Sequence, residues 1–481
     1  MQINISCSNI RAYGMLIITI LLTACSKQVA VDSPVTSITG ENVYHSDPTA
    51  IAVLNGIYSN MSGEGITSGG FTSTSFYGGL SSDELTLYSG SSNIAYKAYY
   101  MNDLSSSNTQ NRELWRKAYP YIYTVNAAIE GISSAKNLTP AIKQQLLGEA
   151  KFIRAFSYFY LVNCYGDVPL VLTTNSEANA NIARTDIAQV WRQIILDLYE
   201  AINLLNTDYP SVNLITTTSE RVRPTKWAAT ALLARAHLYT SNWAGADSAA
   251  SAVINNIALY DTVPLADVFL KNSKEAIWQL QPVLANQNTQ DAMTFILTGA
   301  PNSSRPVYIS TFLINAFKVG DARRTTWIGT RTSGAITYNY PLKYKVSAIA
   351  NTTPPTPPSE YNMVLRLAEQ YLIRAEARAQ LDDISGAKDD LNIIRKRARL
   401  ANTLATNKTE VLDAILKEKQ LELFSEWGHR WFDLKRTDKV DEVMSVVTVQ
   451  KKGTWSSFKK VYPIPIGEII TNKNLKQNDH Y

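Results

Sequence analysis

The 481-residue chain is poor in cysteine, histidine and charge. Its three cysteines are Cys7, Cys25 and Cys164, and only Cys164 falls in what reads as the folded body. No disulfide framework follows from that, and a zinc site has no thiolates to draw on. Cys164 sits in an apolar stretch and reads as a buried, inert thiol. The four histidines, His45, His237, His429 and His480, show no HExxH or related metal spacing. Neither a G-x-S-x-G elbow nor a phosphate loop occurs. Charged residues are 18% of the chain, below the usual quarter, and the net charge is only +5. A nucleic-acid partner would call for clustered positive charge, so none is expected. No run reaches 18 apolar residues, which gives no membrane-spanning helix. Hydrophobic residues at 45% exclude disorder, coiled coil and collagen. The surplus is in tyrosine, 26 against 12 Phe. Tyrosine has an apolar face and a hydroxyl, which suits surfaces that are wet and adhesive at once.

The N-terminus reads as an address. Residues 1–24 have a polar start with Arg11, a short apolar run over 15–22 and small residues after it, as a secretory signal does. Leu22-Thr23-Ala24-Cys25 looks like a bacterial lipobox, in which Cys25 is acylated and becomes the first residue. A covalent lipid on Cys25, palmitate among its chains, is then the only non-protein group expected; no cofactor is. Residues 25–39 are small and polar, a tether between lipid and fold. Ser26-Lys27-Gln28 follows the cysteine, and Asp32 is the first acid.

The body, residues 40–481, reads as one large, mainly α-helical domain with few short strands. Asp47-Pro48 predicts a helix start with Asp47 as its cap. Periodicity predicts helices over 114–132, 140–165, 186–205, 225–240, 244–255, 361–381, 384–399 and 409–425. Gly166 should end the second of these. Residues 62–112 and 260–360 are rich in Gly, Ser, Asn or Pro and read as loop zones with occasional short elements. There is also a weak internal repeat at an offset of 141. Ala234, Ala236, Gly245, Ala246, Ala250 and Val253 correspond to Ala375, Ala377, Gly386, Ala387, Leu391 and Ile394. Small residues let a second helix approach closely after a tight turn, as in tetratricopeptide helix pairs.

Several ordered segments together resemble the SusD/RagB family of Bacteroidetes outer-membrane nutrient-binding lipoproteins. They include Leu114-Trp115 with Tyr119 and Asn126, and Gly148-Glu149-Ala150-Lys151-Phe152-Ile153-Arg154-Ala155 with Tyr158-Phe159. Gly166-Asp167-Val168-Pro169-Leu170 and Arg184 follow. Next come Ala228-Ala229, Ala231 to Arg235 and Tyr239, then Arg366-Leu367-Ala368-Glu369 with Ala375-Glu376-Ala377. Glu418 to Leu423, Glu426 and Arg430 to Arg436 follow, and Tyr462-Pro463-Ile464-Pro465, Gln477-Asn478 and Tyr481 close the chain. The resemblance implies tetratricopeptide-like helix pairs, a lipid anchor facing the cell surface and no catalytic residues. It implies a TonB-dependent, SusC-like outer-membrane transporter as partner, and an oligosaccharide or peptide ligand. It carries no fixed ligand-contacting motif.

The acids Glu418, Glu422 and Glu426 recur every fourth residue on one helix face. Glycosidases need two carboxylates, but these lie on one side and cannot flank a sugar bond. An ion-pair cluster with Arg430 is the expectation, and hydrolysis the remote alternative. The loop aromatics are the better candidates, since sugar C–H faces stack on rings and sugar hydroxyls pair with Asn, Asp and Arg. Residues 83–102 offer Asp83, Tyr88, Asn93, Tyr96, Tyr99 and Tyr100. Residues 302–340 offer Asn302, Arg305, Tyr308, Trp327, Tyr338 and Tyr340. Tyr158, Tyr239 and Tyr371 lie on periodic helices and read as core.

Overall fold

The computed structural model describes residues 43–63, 65–107, 112–284, 286–348 and 356–481. The expected signal, lipobox and tether lie outside the described residues.

Helices dominate. In chain order they are α1 (Asp47–Gly63), α2 (Thr74–Ser81), α3 (Ile94–Tyr100), α4 (Arg112–Ser134) and α5 (Pro140–Tyr165). α6 (Ser176–Ala180) and α7 (Ile187–Leu204) lead to the pair α8 (Lys226–Tyr239) and α9 (Trp243–Ile254). Short helices α10 (Gln290–Phe295), α11 (Thr311–Ala316) and α12 (Ala322–Thr326) follow. α13 (Leu367–Gln380), α14 (Ile384–Arg397), α15 (Lys408–Glu422), α16 (His429–Arg436), α17 (Val440–Gln450) and α18 (Ile466–Thr471) complete them. Among the described residues six short strands form three antiparallel pairs. β1 (Leu85–Leu87) pairs with β3 (Val307–Ile309), β2 (Ala276–Leu280) with β6 (Asn362–Arg366), and β4 (Ile328–Ser333) with β5 (Ile336–Pro341).

α5 is the axis of the main apolar cluster, which gathers residues from Ala50 to Ile464. It is buried on nearly every side, with Phe152, Ile153, Phe156, Tyr158 and Phe159 at its centre. Each such side chain contributes about 1.5–3 kcal/mol by leaving water. Gly166, at φ 73°, ends the helix in a conformation a side chain would resist. Cys164 is buried, and burial pushes its thiol up to about 12, so it is inert at neutral pH.

The 141-residue repeat is real in space. α8–α9 and α13–α14 are both helix pairs with tight turns, and they pack through Ala234, Ala246, Ala249, Ala250, Ile373 and Ala377. Their turns match as well. Ser241 and Asp382 both take positive φ, 56° and 65°. The next residues, Asn242 and Asp383, cap Gly245 and Gly386 through side-chain oxygens at 3.0 and 2.9 Å.

Three expectations need correction. Residues 362–366 form strand β6, not the start of a helix; every residue of it is buried against β2, and a fully buried run carries no period. Residues 62–112 hold the expected short elements, two helices and a strand, but α2 is wholly buried and not part of an open loop. The Asp47 carboxylate does not cap α1. It accepts from Thr139 N (2.9 Å) and Thr139 Oγ1 (2.6 Å), tying α1 to the start of α5.

Candidate ligand-binding face

Two loop-zone segments meet although more than 200 residues separate them. β1 pairs with β3 so that Thr86 faces Tyr308. The Tyr88 amide continues the ladder to Pro306 O at 2.6 Å. Ser310 closes the far end, its amide donating to Glu84 O at 2.9 Å and its hydroxyl to Asp83 O. α3 lies beside β1. Asn93 caps it, accepting from Tyr96 N at 3.1 Å, and Tyr96 and Tyr100 fall four residues apart on one face. The Tyr100 hydroxyl lies by Thr86, and Tyr308 is near enough to help raise its phenol after burial. The β4–β5 hairpin adds the next ring: Tyr338 meets Tyr308 edge to face, centroids 5.2 Å apart.

The result is a run of half-buried tyrosines, Tyr96, Tyr100, Tyr308 and Tyr338, with Tyr88 beside Pro306. Burial raises the phenols of Tyr96, Tyr100 and Tyr308, so they remain protonated donors at neutral pH. Tyr96 leans edge-on against Phe76 at 4.9 Å, which fixes its ring. The hairpin turns on Gly334, at φ 59°, and places Arg331 across from Tyr338. Arg331 Nε donates to Leu297 O at 2.9 Å, which draws the side chain over the loop leading to Arg305. Asn302 is exposed, but its carboxamide oxygen is spent on the turn, accepting from Ser304 N (2.8 Å) and Arg305 N (3.1 Å).

Three of the sequence-based candidates lie elsewhere. Asp83 is buried, bound by Arg430 Nε and Nη2 at 2.8 Å each and by Gln420 at 3.0 Å. Burial would raise its carboxyl, but Arg430 wins and holds it below the usual range. Tyr99 is buried, stacked on Tyr77 at 4.0 Å. Trp327 is buried with Phe269 in a second apolar cluster under the hairpin, its Nε1 donating to Leu265 O at 2.8 Å. None of the three can touch a ligand from there. Tyr340, a fourth candidate, is also buried, its ring lying on Gly329. Arg331 was missed. Its signal is the two-residue Gly334-Ala335 turn, which fixes the register opposite Tyr338.

Asp83 also takes the arginine expected to serve the glutamates. Glu422 pairs with Arg366 (2.6 Å), Arg323 (3.1 Å) and Arg397. Glu426 pairs with Lys343 (2.5 Å) and Arg366 (2.8 Å), and Glu418 with Arg323 (2.6 Å) and Arg395 (3.2 Å). Burial works to raise the Glu422 carboxyl, but Arg397, Arg366 and Arg323 hold it far below the carboxylate range. A carboxylate so saturated is a poor proton donor or base.

Two concavities lie away from this face. One of about 830 Å³ runs beside Tyr44, Tyr123 and Glu130, and one of about 370 Å³ lies between Trp243, Asp413 and Arg436. Among the described residues no group of three or more His, Cys, Asp or Glu is placed to hold a metal ion. No described helix is long and apolar enough to cross a membrane.

Two family models match the chain. One, described as "Starch-binding associating with outer membrane", covers residues 52–238; the other, the SusD family, covers residues 329–481. A SusD-like protein, P2, of Formosa agariphila is 25% identical over 98% of this chain and 99% of its own length. A SusD superfamily crystal structure from Bacteroides vulgatus superposes with a TM-score of 0.77 at 20% identity, covering 90% of this chain and 99% of that one. A laminarin-binding SusD-like protein superposes with a TM-score of 0.73 at 22% identity, covering 90% and 99%.

Proposed function

The chain belongs to the SusD/RagB family, and from that premise we propose that it captures a glycan fragment on the tyrosine face and passes it to a TonB-dependent, SusC-like outer-membrane transporter. The observation that carries the reading is the gathering of half-exposed rings, Tyr96 and Tyr100 one turn apart on α3 and Tyr308 and Tyr338 in contact where β3 meets the hairpin. Pyranose C–H faces stack on such rings, and phenol hydroxyls meet sugar hydroxyls at the edges. Rings already wedged against protein lose little freedom when a ligand arrives, which favours binding. The starch-binding description of one family model and the laminarin-binding structural relative support a sugar as ligand. The three glutamates that the sequence offered for hydrolysis are committed to arginines and a lysine, which favours binding without cleavage. Three acyl chains at Cys25 would hold the protein at the outer membrane, each buried methylene contributing about 0.8 kcal/mol.

The test is titration of the purified chain with an oligosaccharide panel, with the products analysed afterwards. Binding with intact oligosaccharide is expected, weakened by Tyr308→Ala. Capture of peptides and of no oligosaccharide would overturn the sugar reading. For the anchor, labelled palmitate should be incorporated by the wild type and not by Cys25→Ala.

A further inference from the structure

The tyrosine face has an unbalanced charge. Residues 85–107 contain one acid, Asp103, which pairs with Lys459 at 3.3 Å. Residues 297–348 also contain one, Asp321, buried and paired with Arg323 at 2.9 Å. No free carboxylate therefore comes from either segment that builds the face. Cations do. Lys97 is exposed on α3 between Tyr96 and Tyr100, and its ammonium has no partner among the described residues. Arg331 uses only Nε, leaving both terminal nitrogens without partners among the described residues. Arg305, three residues before Tyr308, is the most telling. Its guanidinium makes no hydrogen bond or ion pair among the described residues, and Nη1 is buried.

A buried donor without an acceptor costs about 1–3 kcal/mol, more when charged. Buried arginines elsewhere in this protein find acceptors: Arg154, Arg235, Arg323, Arg366, Arg374 and Arg430 each meet a carboxylate, and Arg221 meets backbone carbonyls. Arg305 departs from that pattern three residues before Tyr308, and Arg331 faces Tyr338 across the hairpin with its terminal nitrogens free among the described residues. Their planar forks suit carboxylates and sulfate esters, which accept two parallel hydrogen bonds. We propose that the face selects an anionic glycan, whose acid groups meet Arg305 and Arg331 while its sugar rings lie on Tyr308 and Tyr338. This rests on the glycan reading above and narrows it to acidic polysaccharides, uronic or sulfated.

The test uses the full chain in detergent and oligosaccharides of matched length. These are a neutral β-glucan, an oligogalacturonate and a sulfated galactan, each titrated at low and high salt, with oligoglutamate as a non-sugar anion. At least one anionic sugar should bind about tenfold or more tightly than the neutral one, the advantage shrinking with salt. The carboxylated and sulfated arms show which acid is preferred. Arg305→Gln and Arg331→Gln should each remove most of that advantage, lowering anionic binding far more than neutral binding. Equal or tighter binding of the neutral glucan, or insensitivity to both substitutions, would overturn the inference while leaving the glycan reading intact. Binding of oligoglutamate and of no sugar would overturn both.

Discussion

Tyr338 presents its ring edge-on to Tyr308 at 5.2 Å and 81°, joining a local hairpin to a strand held by residues 85–87. Each ring immobilises the other, so removing either should loosen the remaining platform. Tyr308→Ala and Tyr338→Ala are each expected to cost about 1–2 kcal/mol of ligand binding, roughly tenfold in affinity. The double variant should lose less than the sum, because the two share one contact. Calorimetric titration of the two single variants and the double variant checks this.

Asp83 and Trp327 should behave as structural residues. Asp83→Asn leaves Arg430 buried without its counter-charge, and a loss of about 3–5 kcal/mol in stability is expected. Trp327→Phe removes the bond to Leu265 O and part of the ring, at a smaller cost. Below the unfolding temperature both variants should bind ligand as the wild type does. A tenfold affinity loss in a variant with an unchanged circular dichroism spectrum would return either residue to the binding face.

Glu84 gives a pH signature. Burial, and then neighbouring Asp83, push its carboxyl up to about 8, against 4.5 for a free glutamate. Between those values the folded protein holds a proton that the unfolded chain has released. The stability this supplies is full below about 4.5 and is lost as pH rises through 8. Glu84→Gln carries no such proton, so its melting temperature should fall less between pH 5 and pH 8. Parallel wild-type and variant curves over that range would contradict the assignment.

The paired turns make a matched prediction. Asn242→Ala and Asp383→Ala each remove one helix cap of the same geometry. Each should cost about 1 kcal/mol, and the two costs should agree within about half that. Urea midpoints with unchanged slopes would measure it.

The scaffold was more legible than the face. α5 announces itself by Thr139-Pro140, a long apolar periodicity and Gly166, and all three signals agree. The repeat shows because small residues at fixed spacing have one strong use, close helix approach. β6 does not show, since Met363, Val364 and Leu365 are buried on both sides and leave no alternation to read. On the face, tyrosine content points to two segments that the structure brings together, but it cannot sort the rings. Tyr96 and Tyr99 lie on the same short helix, one half-exposed and one stacked in the core, and local sequence does not say which side meets water. Asp83 misled for a related reason: its partner Arg430 lies 347 residues away.

The hairpin has one further consequence. Ile328 and Tyr340 root it in the second apolar cluster, while residues 330–337 are all exposed. Substitutions at surface positions of this kind usually stay within about 0.5 kcal/mol in stability. The arm that carries Arg331 is thus free to vary over a foundation that is not. On the proposed reading, a lineage could change the captured ligand by rewriting eight residues, and an engineer could exchange them as a cassette, with the helical body left as it stands.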